Sequence, residues 1–176
     1  VIPAFERLKS SGRIGAWGVT TASTQSENLA VVSAHQRPDV VQCITNLLDS
    51  SASMALTEEV PMPRQVISKA EDAGIGVMGI RAVAAGSLTD AIDRDVHPKS
   101  AELKDFQRSA GFRELAKSNG LSPAYLAHLY ALSMPGVDTV VLGVKNREEL
   151  TECLEAEAAA PMSAELVAAM DASVAN

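Results

Sequence analysis

Aromatic side chains are nearly missing from this sequence, with one Trp, two Tyr and three Phe. Ala and Val dominate instead, and almost half of the residues are apolar. That balance excludes a disordered tail and suits helices packed on small-residue strands. Cations are also under-represented: the formal charge is −7, which argues against a nucleic-acid groove or an anionic membrane surface as the main partner. No apolar run approaches the ~20 residues of a membrane span. The opening Val1-Ile2-Pro3-Ala4-Phe5-Glu6-Arg7 lacks the basic and apolar regions of a signal peptide. It also lacks an initiator Met, as expected of a chain that begins inside a longer gene product.

Two cysteines are too few for a disulfide framework. Cys43 and Cys153 fall in a predicted strand and a predicted helix, and read as reduced, buried thiols of a cytoplasmic protein. His35, His97 and His128 share no metal-ligand spacing with either Cys, so no metal site is expected. The length accommodates one domain, 1–176, and not two.

What is present is an alternation. A short helix ends at Ser10-Ser11-Gly12, and the run Ile14 to Val19 predicts a strand buried on both faces. A helix over Gln25 to Gln36 precedes a strand over Asp39 to Ile44, and a helix over Pro63 to Asp72 precedes a strand over Gly74 to Ile80. An insertion with Asp90, Asp93, Asp95 and His97 leads to one helix from about Ser100 to Ser118. Ser122-Pro123 supplies an N-cap and a first-turn Pro for a helix over Ala124 to Met134. The strand Thr139 to Gly143 and helices Arg147 to Ala158 and Ser163 to Ala172 complete the chain. Strands alternating with helices at this spacing mean βαβ units and a parallel sheet. An open doubly wound sheet and half of a closed barrel both fit four strands; short, Gly-bearing strands lean towards the barrel.

Four stretches can carry chemistry, each with a plain structural reading beside it. Thr20 and Thr21 end the first strand, where a barrel places ligand contacts; the plain reading is a strand and its loop. Gln42 lies mid-strand among apolar neighbours, where an amide must be paired. Its partner is either a structural group or another amide, such as a nicotinamide carboxamide. The strand ending at Ile80 or Arg81 enters a small-residue loop, Ala82 to Leu88, closed by Gly86. Backbone amides there can approach a pyrophosphate, although a Rossmann G-x-G-x-x-G is absent. Finally, Gly143 runs through Lys145, Asn146 and Arg147 into a helix, a helix start with two cations that suits a phosphate; a solvated helix start is the alternative.

Together these stretches resemble the aldo-keto reductase family. The resemblance rests on Gly12-Arg13-Ile14 with Gly18-Val19-Thr20, Val40-Val41-Gln42 with Asn46, and Gly74-Ile75-Gly76-Val77 with Gly86-Ser87-Leu88-Thr89. It continues through Leu115-Ala116, Gly120-Leu121-Ser122-Pro123-Ala124 with Leu126-Ala127, and Val140-Val141-Leu142-Gly143 with Leu150 and Glu152. Nearly the whole chain lies along that family's second half. The resemblance implies an α/β parallel (β/α)8 TIM-type barrel of which strands 5 to 8 are present. It also implies an extended NADP(H), with NAD(H) as the alternative, across the C-terminal mouth. By that analogy Thr20, with Thr21 beside it, and Gln42 hold the carboxamide, and Ile80 lies against the nicotinamide. The loop from Arg81 through Ala85 and Gly86 to Leu88 covers the pyrophosphate. Gly143, Lys145, Asn146 and Arg147 meet the adenosine phosphate, and Glu152 lies near the adenine.

The sequence departs from the family pattern in places. Thr20-Thr21 stands for the usual Ser-Asn, Ile80 for an aromatic, Cys153 for an Asn, and Glu149 for the Arg that some members use on a 2′-phosphate. The family's catalytic Asp, Tyr, Lys and His belong to the first half, and no segment here resembles it. Tyr125 and Tyr130 read as packing. A complete barrel needs about 250 residues, and open strand edges pair or aggregate. Three readings follow. The chain is part of an oxidoreductase reducing a small carbonyl substrate, completed by an N-terminal half. Alternatively, it is a non-catalytic half-barrel that pairs with a second chain, or an unrelated parallel α/β domain.

Overall fold

A computed structural model describes residues 1–54 and 60–174. Helix α1 (Ile2–Ser10) has Pro3 in its first turn and Arg7 and Lys9 in its last, as helix geometry and dipole favour. Gly12 follows it at φ +70°, a left-handed turn that Gly adopts without a Cβ penalty. Strand β1 (Gly18–Thr20) is shorter than the run Ile14 to Val19 predicts. Trp17 explains the difference. Its ring stacks on Phe5 at 5.7 Å, its indole N–H donates to Glu6 Oε1 at 2.7 Å, and its backbone N–H donates to Asp39 Oδ2 at 3.0 Å. These side-chain contacts reinforce the approach to the sheet, where the Trp17 carbonyl also accepts from the Asp39 N–H at 2.9 Å.

Helix α2 (Gln25–Ser33) opens with a capping box between Thr24 and Glu27. Then come β2 (Val40–Ile44), α3 (Pro63–Asp72) and β3 (Gly76–Ile80). The expected single helix over 100–118 is two, α4 (Ala101–Arg108) and α5 (Ala110–Ser118), broken at Ser109. The Ser109 hydroxyl lies 2.8 Å from the carbonyls of both Ser87 and Asp105. Arg113 donates to Ser109 Oγ at 3.0 Å and to the Phe106 carbonyl at 2.7 Å. These bonds satisfy polar groups that the break releases. Helix α6 (Pro123–Ser133) starts on the expected Ser122 cap. Strand β4 (Thr139–Val140) is shorter than expected, although the Val141 N–H still donates to the Gly79 carbonyl at 2.8 Å. Helices α7 (Arg147–Ala159) and α8 (Ala164–Val174) follow.

The four strands are parallel and stand in the order β1-β2-β3-β4. A doubly wound sheet reverses its strand order at a switch point, whereas a barrel adds each strand beside the last. The observed order is the barrel kind. Val41, Cys43 and Val77 face the helices and join Val66, Ile67, Phe112, Leu126 and Tyr130 in one core; each fully buried large side chain contributes ~1.5–3 kcal/mol. Gly79 packs on the same side against Thr45, and a Cβ there would collide with the Thr45 hydroxyl. The opposite face carries Thr20, Val40, Gln42, Met78, Ile80 and Thr139, all half-buried or exposed. The expectation of strands buried on both faces is therefore corrected: the helices cover one face, and Gln42 belongs to the open one.

Candidate functional site

The register of the sheet sets Thr20, Gln42, Met78 and Thr139 in one row across the open face. Thr20 Oγ1 donates to Gln42 Oε1 at 2.8 Å, and Gln42 Nε2 reaches Met78 Sδ at 3.5 Å. A thioether is a weak acceptor, so this amide can turn its N–H bonds to a better partner at little cost. Thr21 behaves differently from Thr20. Its hydroxyl donates to the Gln42 carbonyl at 2.8 Å and lies 3.3 Å from Cys43 Sγ, so it fastens β1 to β2. Ile80 pairs in register with Ile44 at the C-terminal ends of β3 and β2.

Beyond Ile80 the backbone turns left-handed at Arg81 (φ +63°), Ala84 (+46°), Ala85 (+57°) and Gly86 (+92°). Three non-Gly residues in this region mark stored strain of the kind that clusters at ligand sites. Asn46 holds the turn. Fully buried, it accepts from the Leu48 and Ser50 N–H groups at 3.1 Å each and donates to the Arg81 carbonyl at 3.1 Å and the Ser50 carbonyl at 2.9 Å. Arg94 donates to the Ala85 carbonyl at 2.8 Å. Arg81 Nε and Nη2 are buried and have no hydrogen-bond partner among the described residues. Burial pushes this guanidinium's pKa down, with Glu102 offsetting part of the effect.

A cleft of about 350 Å³ runs between this turn and the start of α7, lined in part by Ala85, Gly86, Gly143, Lys145 and Glu152. Five of the residues expected from the sequence thus meet in one place. Thr20, Gln42 and Ile80 stand apart from the cleft on the sheet's open face. Leu88 is fully buried in the core, so its side chain serves packing, and any part it has in the loop's cover of a ligand falls to its backbone. Arg147 is exposed on the first turn of α7 and is not among the cleft residues. Asn146 is the N-cap of α7: its side chain accepts from the Glu149 N–H at 2.8 Å.

Lys145 is ion-paired with Asp93 and, at 3.5 Å, with Glu149. Hydrogen bonding to Asp93 is the main reason its pKa is raised, and the same bond lowers that of Asp93. Glu152 accepts from Ser122, the cap of α6. His128 and Cys153 line the back of the cleft, with Cys153 Sγ 3.6 Å from His128 Nε2 and His128 Nδ1 2.8 Å from the Ala124 carbonyl. Burial raises the pKa of both Cys43 and Cys153, which keeps them as thiols rather than nucleophiles. Sequence reasoning missed Asn46, Asp93 and His128 as parts of this site. Asn46 had a signal, an amide just after a buried strand; the other two had none.

Tyr130 is buried in α6, where its hydroxyl donates to Asp171 at 2.5 Å and accepts from Arg64 at 2.8 Å. It packs as expected. Among the described residues no group of three or more His, Cys, Asp or Glu could hold a metal, and no helix is long and apolar enough to cross a membrane.

A singly wound parallel sheet backed by helices is the arrangement of a barrel-type α/β protein. The chain belongs to the aldo/keto reductase family, whose pattern it matches over residues 1–175. Among solved structures it is similar to aldo-keto reductase AKR11C1 from Bacillus halodurans, in both the holo and the apo form. Each aligns with a TM-score of 0.67 and 19% identity, over 99% of this chain and 56% of the other. The chain thus spans a little over half the length of those structures. No curated protein matches it.

Proposed function

We propose that this chain supplies the C-terminal half, strands 5 to 8, of an aldo-keto reductase barrel and binds the nicotinamide cofactor of a carbonyl oxidoreductase. When bound, the nicotinamide supplies the hydride that reduces an aldehyde or ketone. The chain's own residues bind and orient. Thr20 and Gln42 offer a hydroxyl and an amide to a carboxamide, the pairing an amide recognises best. Ile80 gives the ring an apolar surface and excludes water on that side. The left-handed turn from Arg81 to Gly86 presents small side chains to a pyrophosphate, and the buried guanidinium of Arg81 adds a positive charge to that turn. The cleft from Ala85 to Glu152 takes the adenosine end.

The observation that carries this reading is the Thr20–Gln42 pair, standing ready on the same sheet whose third strand leads into the strained turn. The catalytic Asp, Tyr, Lys and His belong to an N-terminal half, and the assembled enzyme works in the cytoplasm on a small carbonyl substrate. The open sheet face also favours a second reading, a non-catalytic half-barrel that pairs with another chain. Titration of the full-length protein with reduced nicotinamide dinucleotides tests the first reading: saturable binding followed by carbonyl-dependent oxidation is expected. Binding without oxidation of the dinucleotide by any aldehyde or ketone favours the second reading, and no binding contradicts the first.

A further inference from the structure

The cleft beside α7 is already electrically satisfied. Its two cations are Lys145 and Arg94, and both are engaged by this chain's own groups. Lys145 Nζ is paired with Asp93 and Glu149; Arg94 donates to the Ala85 carbonyl and lies 3.7 Å from Glu102. The helix start is engaged as well. The Lys145 N–H donates to Glu149 Oε2 at 2.8 Å, and the Glu149 N–H to Asn146 Oδ1 at 2.8 Å. Against these two cations the cleft sets three carboxylates, Asp93, Glu149 and Glu152.

A phosphate monoester brings close to two negative charges at neutral pH. To bind here it must displace a carboxylate from Lys145 or lie beside one, and either costs binding free energy. A ribose with free hydroxyls brings donors, which a carboxylate accepts. Nucleotide sites in general use an acidic residue for a 2′-hydroxyl and an Arg for a 2′-phosphate. Resting on the dinucleotide reading above, we infer that Glu149, with Asp93, selects the dinucleotide bearing a free adenosine 2′-hydroxyl, NAD(H), over its 2′-phosphorylated form. This departs from the NADP(H) that the sequence resemblance implies.

The test is equilibrium binding of NADH and of NADPH to the full-length protein, read by nicotinamide fluorescence at one ionic strength. NADH is expected to bind at least about tenfold more tightly. Glu149→Arg narrows or reverses that ratio. Asp93→Asn, in an exposed loop where folding is not at stake, narrows it too. Added salt narrows the wild-type ratio by screening these exposed carboxylates. Equal or tighter binding of NADPH by the wild-type protein overturns the inference while leaving the dinucleotide reading intact. Binding of neither nucleotide overturns both.

Discussion

Thr20 and Gln42 sit opposite each other on β1 and β2, and the threonine hydroxyl donates to the glutamine amide at 2.8 Å. The bond fixes which end of the amide faces its neighbours. Thr20 takes the oxygen, and among the described residues the N–H groups are left with the Met78 thioether at 3.5 Å. Gln42→Ala removes a recognition group from a half-buried site without opening the core. It is expected to weaken nicotinamide dinucleotide binding about tenfold, the scale of one or two lost hydrogen bonds, with little change in the unfolding midpoint. Isothermal titration beside urea denaturation checks it, and unchanged affinity contradicts the placement of Gln42.

Tyr130 yields a prediction of stability and of its pH dependence. The buried phenol is wedged between Arg64 and Asp171, and burial is the main cause that pushes its pKa up to about 12 from 10.0. The fold therefore favours the neutral phenol. Its contribution is complete below pH 10 and is lost as the pH rises through about 12. Tyr130→Phe should cost about 1–3 kcal/mol at neutral pH. The gap between wild type and variant should shrink between pH 10 and 12; a constant gap contradicts this account.

Much of the fold was legible because its signals are local. Ser122-Pro123 marked the start of α6, and β2 and β3 followed from short apolar runs. The misread parts depend on distant partners. The strand starts only at Gly18, and the residue before it, Trp17, is fixed by Phe5, Glu6 and Asp39. The helix over 100–118 breaks because Ser109 finds the carbonyl of Ser87. Burial on both faces was inferred from apolar composition, which does not reveal which face the helices cover. Within the site, the composition of the turn after Ile80 was readable. The ion pair of Lys145 with Asp93 was not, because only the fold brings the two together across fifty-two positions.

Asn46 links the loop after β2 to the left-handed turn after β3. Asn46→Ala leaves the buried N–H of Leu48, the half-buried N–H of Ser50 and the carbonyl of Arg81 short of a partner. A loss of about 2–4 kcal/mol is expected, together with weaker dinucleotide binding, because the turn loses its brace. Urea denaturation and a cofactor titration on the same sample check both, and wild-type values in both contradict the bracing role.

The proposed dinucleotide site draws on the strand ends of the open face, the turn after Ile80 and the start of α7. Amide hydrogen exchange of the full-length protein, with and without saturating reduced dinucleotide, tests it most directly, since exchange reports local opening along the chain. Slower exchange is predicted in residues 18–21, 42–46, 80–89 and 143–153, with α1 and α8 unchanged. Binding with no protection in those four segments, or with protection confined to others, would contradict the account.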